Sequence, residues 1–423
     1  MTSARPPHVS GTKNIPKHHV WAVKLWHGGH FFGWLRLLIR NRFAIGPCCL
    51  HALVFISFSS LVNTALRAVQ ELIWGRQLKK VEIVHAPLFI IGHWRTGTTL
   101  LHELLTLDDH HTYPTTYECF CPNHFLLTES YLSRVLRFFL PSQRPMDNMP
   151  LAWNRPQEDE FALCNLGQPS PYLTIAFPNR RPQYPEFFDL ENVPHEALER
   201  WKACFLRFLR QVTVRNPKRI VLKSPTHTYR IKVLLDLFPD ARFVHVVRNP
   251  YVVFPSTVNL WQSLYAHQAL QHPTCKGLED YVFDNFLRLY EKLEEARPAL
   301  DSSRFYELRY EDLVSDPVTQ VRAIYEHLEL GDFEQIVPKL KQYMEIIADY
   351  KTNRYELLPE LRDTITQRWG HVIRRYGYAC DSHSPPKSGG SANESVQAVS
   401  LLASATSNGR EIAEPSDLSR LGL

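Results

Sequence analysis

The residues best placed to do chemistry lie in one short segment, which reads Gly92-His-Trp-Arg-Thr-Gly-Thr-Thr. Its two glycines have the Gly-x4-Gly spacing of a phosphate-binding loop between a strand and a helix. Successive backbone N–H groups in such a loop, together with the start of the following helix, bind an oxyanion. The sequence therefore predicts that four consecutive residues contact a bound anionic group: Thr96, Gly97, Thr98 and Thr99.

The cation of this loop differs from that of nucleotide kinases. Thr98 stands where a kinase has the Lys that reaches the β- and γ-phosphates, and Arg95 supplies the positive charge from inside the loop. No aspartate ends a neighbouring predicted strand to hold a magnesium ion. We therefore expect a nucleotide with one 5′-phosphate-linked group, bound without metal. A P-loop kinase or NTPase and a catalytically silent nucleotide-binding scaffold remain the alternatives.

Cationic residues also lie at two other predicted junctions between a strand and the helix that follows it. Lys223 follows an apolar run, and Arg248 follows another, with Ser256 eight residues beyond it. Each signal is weak alone, because a lysine at a strand end is usually an ordinary solvated residue. An arginine at a strand end and a serine two turns into the next helix can clamp a second phosphate. Taken together, the junctions predict a nucleotide with two separated phosphate sites.

The elements that position these residues alternate along the chain. Apolar runs predict buried strands at 87–92, 219–222, 242–247 and 304–310, followed by helical patterns at 98–107, at 227–238, from Tyr251 onward and at 317–328. This order predicts an α/β, P-loop-type three-layer fold, in which helices flank a central parallel sheet. In such sheets ligands bind beyond the carboxyl ends of the strands, where all the junctions above fall.

The junction motifs resemble those of one family. Trp94-Arg-Thr-Gly-Thr-Thr99 resembles the 5′-phosphosulfate loop of the sulfotransferases, especially that of the tyrosylprotein sulfotransferases and their bacterial relatives. Arg248 and Ser256 match the family's Arg-x7-Ser element for a 3′-phosphate, and Lys223-Ser-Pro resembles its catalytic lysine before a proline. The resemblance implies transfer of a sulfonyl group from 3′-phosphoadenosine 5′-phosphosulfate (PAPS) to a hydroxyl or amine, by in-line displacement.

The resemblance runs from about residue 87 to about residue 378 and adds Tyr310, in the late Tyr-Glu-x-Leu segment, to the donor-binding residues. In this chemistry negative charge grows on the oxygen that bridges to the departing nucleotide. Fixed cations there stabilise the transition state more than the ground state. Arg95 and Lys223 are the candidates for that role.

A base must also accept the acceptor's proton. In the tyrosylprotein enzymes a glutamate follows the phosphate-loop helix, and Glu118 lies at the matching place, although two extra residues intervene and the surrounding sequence differs. His93, His124 and the acids at 158–160 are the rivals. Those acids are also typical of a solvated first helical turn, because acidic residues favour helix starts.

Composition divides the chain into three parts. Residues 1–82 are basic and then apolar, 83–380 form the expected transferase domain, and 381–423 are rich in Ser, Gly, Ala and Asn, which predicts a disordered tail. Within the domain, 113–190 is dense in Pro and aromatic residues and is expected to fold over the donor as an acceptor lid. Such a lid favours a hydrophobic or amphipathic acceptor, whose class (lipid, glycan, small molecule or protein tyrosine) stays open.

The charge and the cysteine content limit the classes of partner and the cellular compartment that the sequence favours. The net charge of +5 is spread along the chain, so we expect no nucleic-acid partner. Eight cysteines without a disulfide or zinc spacing indicate a reducing, cytoplasmic setting. Residues 43–66 contain no Lys, Arg, Asp or Glu, but Pro47, His51 and Asn63 interrupt the apolar run. A helix that lies on a membrane surface or packs on the domain is favoured over a membrane span.

Overall fold

The computed structural model describes residues 18–20, 22–136, 152–347 and 355–379. Its central sheet has five parallel strands in the order β2-β3-β1-β4-β5. The strands are β1 (Leu88–Ile91), β2 (His111–Thr112), β3 (Arg219–Lys223), β4 (Arg242–Val247) and β5 (Phe305–Arg309). The four predicted strands are confirmed. The fifth, β2, escaped prediction because it is two residues long and polar.

Helices cover the sheet and extend before it and into the lid region. They are α1 (Phe31–Arg40), α2 (Leu50–Lys80), α3 (Thr98–Leu105), α4 (Thr116–Phe120), α5 (Phe125–Leu136), α6 (Asp159–Asn165), α7 (His195–Arg215), α8 (Ile231–Leu237), α9 (Pro250–Gln268), α10 (Leu278–Ala296), α11 (Tyr310–Ser315), α12 (Pro317–Leu328), α13 (Val337–Ile346) and α14 (Pro359–Arg375).

The two faces of β1 show why the domain has three layers. Leu88 and Ile90 are fully buried against apolar residues of α3, α12 and α13. Phe89 points to the opposite face, where its ring stacks on that of Phe243 at 5.3 Å and meets the His227 ring edge-on. A strand that is buried on both faces must be apolar throughout, as this run is. The predicted α/β architecture is confirmed.

One predicted helix begins later than expected. The pattern at 227–238 predicted a continuous helix, but the structure has a short 3-10 helix at Pro225–Tyr229, followed by α8. The side chains of this segment are engaged by the lid: Thr226 Oγ1 donates to Glu160 at 3.0 Å, and His227 Nε2 lies 2.9 Å from Asp159. These tertiary contacts override the local helical pattern.

The N-terminal helices pack on the domain. Asn63 in α2 donates from Nδ2 to the carbonyls of His27 and Gly29, and Gln70 donates to the carbonyl of Asn123. Among the described residues, α2 with the turn before it is the one helix long and apolar enough to cross a membrane, and only 28% of its most apolar stretch is buried. The predicted packing on the domain is present, and it leaves one apolar face of α2 exposed.

The described part of 113–190, the region predicted to be a lid, is largely helical and contacts the end of β3. Its α6 carries Glu160, whose carboxylate pairs with Arg230, and both side chains are fully buried. Ser170 and Thr226 donate further hydrogen bonds to the same carboxylate. Asp159 and Glu160 are therefore fully buried against His227 and Arg230, and they do not form the solvated helical turn that their sequence alone allowed. Phe138 and Phe139 of the predicted lid and the predicted tail lie outside the described residues.

The Glu160–Arg230 pair predicts a large and specific loss of stability. Glu160→Ala leaves a buried guanidinium uncompensated, which costs about 3–5 kcal/mol. We expect a lower denaturation midpoint in urea, measured by circular dichroism. The control is Glu196→Ala, which removes an exposed pair with Arg200 and leaves the midpoint in place. Equal midpoints for the two variants would contradict the anchoring role.

Candidate functional site

The strand order places the candidate site at the carboxyl ends of β1 and β4. The chain leaves β1 toward β2 on one side of the sheet and leaves β4 toward β5 on the other. Neighbouring strands whose connections diverge open a crevice between the two loops that follow them. The register aligns Ile91 with His245 and Val247 with Arg309. The loop after β1, Arg248 and Tyr310 therefore emerge at the same edge.

The loop after β1 is held against the sheet by its first residue. Gly92 has φ +146°, and a Cβ there would lie 2.7 Å from the carbonyl oxygen of Val246, so only glycine fits. Its N–H donates to Thr228 Oγ1 at 2.9 Å. Sequence reasoning missed Thr228, since nothing near it in the chain marks it as a partner of the loop.

One aromatic ring joins the two predicted phosphate elements. Gly97 has φ +98° and ends the loop at the start of α3, and a Cβ on it would lie 2.1 Å from the Tyr310 ring. On that same ring lies the Arg248 guanidinium, with its central carbon 4.0 Å from the ring centre. A cation over a tyrosine face is attracted by the ring quadrupole. Tyr310 thus positions both the loop end and the second cation.

Arg95 connects these elements from inside the loop. Its φ of +70° is a left-handed conformation that non-glycine residues adopt at a cost. Its Nε donates to Ser256 Oγ at 2.9 Å, and its carbonyl accepts from Arg248 Nη1 at 3.0 Å. The structure thus brings together three residues that sequence spacing assigned to two separate sites.

Lys223 lies at the centre of a second group of contacts. Its side chain is 2% exposed, and its ammonium donates to Glu158 at 2.6 Å. The other carboxylate oxygen of Glu158 accepts from the Tyr172 hydroxyl at 2.7 Å, and that hydroxyl accepts from Trp94 Nε1 at 3.1 Å. A chain of hydrogen bonds therefore runs from the phosphate loop through the lid to the end of β3. The aromatic density of the lid was the only sequence signal for Tyr172.

Glu118, the predicted base, makes a different set of contacts. One of its oxygens accepts from the Thr115 N–H at 2.7 Å, which caps α4, and the other from Arg215 at 2.8 Å. The side chain is 1% exposed. Burial raises the pKa of Glu118, and the Arg215 guanidinium opposes that rise. These are the contacts of a structural carboxylate, since they join Glu118 to the cap of α4 and to α7 and not to Lys223 or the loop.

The two histidine rivals are buried. His93 is fully enclosed, with Nδ1 2.9 Å from the carbonyl of Trp94, and burial lowers its pKa to about 3. His124 lies with its ring nitrogens near Thr128 and Asn63, and burial lowers its pKa to about 4. Groups with such low pKa values are poor proton acceptors from a hydroxyl. Of the candidate bases, Glu158 is the one in contact with Lys223.

Taken together, the crevice offers loop N–H groups, three cations and a carboxylate at one sheet edge, a set that suits transfer of an anionic group from a nucleotide.

A family model described as "Sulfotransferase family" matches residues 87–335. The chain belongs to the sulfotransferase family. It is 53% identical over 377 residues to proteins from Mycobacterium tuberculosis and Mycobacterium bovis named omega-hydroxy-beta-dihydromenaquinone-9 sulfotransferase Stf3, covering 89% of this chain and 96% of theirs. The chain is thus an enzyme of this family, and the resemblance predicted from the motifs is confirmed.

Solved structures support the fold of this sulfotransferase. STF9 from Mycobacterium avium superposes with a TM-score of 0.58 at 18% identity, covering 77% of this chain and 85% of its own. STF1 from Mycobacterium tuberculosis gives a TM-score of 0.54 at 19% identity, covering 84% of this chain and all of its own. Both likenesses concern architecture alone.

The contacts of Arg248 predict how the sulfotransferase selects its nucleotide. If Arg248 binds a 3′-phosphate, the unmodified protein prefers adenosine 3′,5′-bisphosphate to AMP. Arg248→Ala should remove most of that preference, because a hydrogen bond to a charged group contributes about 1.5–3 kcal/mol. Calorimetry with both nucleotides measures it, with Arg304→Ala as a control on the exposed far end of β5. Equal affinities for the two nucleotides in the unmodified protein would refute the assignment.

Proposed function

We propose that this sulfotransferase moves the sulfonyl group of PAPS to the hydroxyl of a lipid acceptor. The observation that carries the proposal is the convergence of Arg95, Arg248 and Lys223 on one sheet edge beside a loop that ends at the start of α3. A P-loop kinase or a silent scaffold explains this set less well. Thr98 replaces the kinase lysine, and a scaffold needs no buried lysine–carboxylate pair.

The donor is proposed to bind across this edge. The N–H groups of residues 96–99 and the start of α3 bind the 5′-phosphosulfate. Arg248, seated on the Tyr310 ring, and Ser256 bind the 3′-phosphate. Arg95 already donates to Ser256, so a phosphate placed there meets two guanidinium groups and a hydroxyl. No metal ion is required for this charge balance.

Lys223 and Glu158 are proposed to exchange partners when the donor binds. In the resting pair the Lys223 ammonium neutralises Glu158. A donor whose bridging oxygen approaches Lys223 offers it a second anion, and the carboxylate then becomes free to accept the acceptor's proton. The acceptor oxygen attacks sulfur, the bond from sulfur to the bridging oxygen breaks, and Lys223 stabilises the charge that develops on that oxygen. Glu158 is 15% exposed, so an acceptor can reach it. We therefore prefer Glu158 to Glu118 as the base.

The acceptor class follows from the relatives and the lid. The 53% identical proteins are named for an omega-hydroxylated menaquinone, so we propose an aliphatic hydroxyl at the end of an isoprenoid chain as the acceptor. The aromatic lid predicted from sequence suits such a chain. An aliphatic alcohol is much less acidic than a phenol, whose pKa is about 10, and needs a base more.

A lipid acceptor implies contact with a membrane, and α2 offers a surface for it. Large apolar side chains stand exposed along one face, among them Val54, Phe58 and Leu72, which is 86% exposed. The opposite face packs on the domain through Ile56, Asn63 and other residues. The exposed stripe ends in a basic cluster at the C-terminus of the helix, formed by Arg76, Lys79 and Lys80. We propose that α2 lies flat on the surface of an anionic bilayer.

The base assignment predicts a difference between two glutamates. Glu158→Gln should lower kcat by about 10²–10⁴-fold on an aliphatic alcohol, since an amide cannot accept the proton. A phenolic acceptor should lose less. Lys223→Ala should lower kcat with little change in affinity for adenosine 3′,5′-bisphosphate.

Glu118→Gln is the matched control, because it also removes a buried carboxylate charge from the lid. It should lower the thermal midpoint and retain most of its kcat in the folded fraction. A Glu118→Gln enzyme that folds normally and loses alcohol turnover, beside an active Glu158→Gln enzyme, would return the base role to Glu118.

The membrane assignment predicts binding to vesicles of phosphatidylglycerol in a sedimentation assay. Phe58→Glu with Leu72→Glu should abolish binding, and neutralising Arg76, Lys79 and Lys80 should weaken it, because each basic residue near an anionic surface contributes about 1 kcal/mol. Ile346→Glu, at an exposed apolar site on α13, is the control and should bind as the unmodified protein does. Unchanged binding by the double variant would exclude α2 as the contact surface.

A further inference from the structure

A group of metal-ligating side chains lies where the described N-terminal segment meets the turn before α2, and none of them belongs to the candidate transfer site. His18, Cys48 and Cys49 each offer one ligand atom, and these atoms all lie within 4.8 Å of one another. Within the described ranges this is the only such group of three. Cys48 is exposed and Cys49 is buried, so solvent reaches the cluster from one side.

The three side chains are near enough for one ion to reach all of them after a modest adjustment. The two sulfurs lie 3.9 Å apart, Cys48 Sγ lies 4.0 Å from Nδ1 of His18, and Cys49 Sγ lies 4.0 Å from Nε2 of the same ring. Zinc–sulfur bonds of about 2.3 Å and zinc–nitrogen bonds of about 2.0 Å place tetrahedral ligands roughly 3.5–3.8 Å apart. An imidazole offers an ion only one of its two nitrogens, and with one nitrogen chosen the three ligand atoms lie within 4.8 Å of one another. A shift of about 1 Å would therefore bring two sulfurs and one nitrogen onto a common ion.

Contacts with the folded chain hold both His18 and the two cysteines in place. Cys48 and Cys49 belong to a 3-10 helix, Pro47–Cys49, that runs directly into α2. His18 lies with Nε2 3.3 Å from the carbonyl oxygen of Ala269, and Cys49 Sγ lies 4.0 Å from the same oxygen. The residue after His18 donates its N–H to the carbonyl of Ala266, at the end of α9. The cluster therefore joins the described N-terminal segment, the start of α2 and the end of α9.

A further imidazole stands next to the group. The His272 ring is nearly parallel to that of His18, with ring centres 6.1 Å apart. Two thiolates and one or two imidazoles form the mixed sulfur–nitrogen set that zinc prefers, while harder cations prefer oxygen. Thirty residues separate His18 from the cysteines, so no short sequence motif reveals the set.

We propose that His18, Cys48 and Cys49 bind one zinc ion that fastens the N-terminal segment to the start of α2, with His272 or a water molecule as the fourth ligand. The site is structural and independent of sulfonyl transfer. Its two thiolates balance the charge of the ion, and the nearby Lys24 ammonium is directed to the carbonyl of His267. Binding releases the thiol protons to solvent, so affinity falls as pH decreases.

The test uses the full chain, reduced and stripped of metal, and titrated with cobalt(II) and then zinc(II). We expect one ion per chain, a thiolate-to-cobalt charge-transfer band that zinc removes, and a zinc-dependent rise in the thermal midpoint. Cys48→Ser and His18→Ala should each weaken binding at least tenfold. Cys275→Ser, a partly buried cysteine outside the group, should bind as the unmodified protein does. A His272→Ala variant with weakened binding identifies the fourth ligand as His272, and unchanged binding identifies it as water.

No charge-transfer band in the unmodified protein, or equal binding by the Cys48→Ser variant, would overturn the proposal. Cys48 is exposed, so its substitution does not disturb the core. Affinity for adenosine 3′,5′-bisphosphate, measured on each variant, confirms that the transferase domain is folded. A thiol count after the titration distinguishes metal binding from a disulfide between the adjacent cysteines.

Discussion

An ammonium group that is removed from water needs a counter-charge, and the buried Lys223 side chain finds one in Glu158. The need for this ion pair determines which regions of the chain meet at the candidate site. Glu158 lies just before α6 in the predicted lid region and Lys223 ends β3, so their pairing joins that region to the edge of the sheet. Through Tyr172 the same carboxylate is linked to Trp94, which stands next to Arg95 in the phosphate loop. Hydrogen bonds thus connect the predicted lid region, the end of β3 and the phosphate loop. The surroundings are apolar, and in such a low-dielectric interior satisfied hydrogen bonds are stronger than in water.

Three consecutive acids in the lid show how environment divides similar groups into different roles. Asp159 is fully buried beside His227; burial alone would raise its pKa, but the histidine and Ser224 hold that pKa below its ordinary value. Glu160 is enclosed by Arg230 and hydroxyl groups. Glu158 alone of the three retains exposure and contacts a cation that the transfer chemistry can use. Two of the acids stabilise the fold, and the third is the one that we propose as the base.

The sequence was informative where local patterns decide structure. The apolar runs predicted four strands with bounds within a residue or two, and the loop and junction residues were predicted to share one sheet edge, as they do. The two-residue strand β2 has no pattern to detect. The Lys223–Glu158 contact joins residues 65 positions apart, and such pairings depend on how the lid folds. For the same reason Glu118 looked suitable by position, although its neighbours in space are a helix cap and Arg215.

The left-handed backbone of Arg95 has a consequence for how this enzyme can change. A glycine would adopt that conformation without strain. The residue that best fits the backbone at this position is therefore one without a charged side chain. Glycine would relieve that strain, but it would also remove the guanidinium that donates to Ser256 and that we propose helps to bind the donor. We therefore expect a relative with glycine at this position and an otherwise intact loop to fold well and to bind the donor weakly.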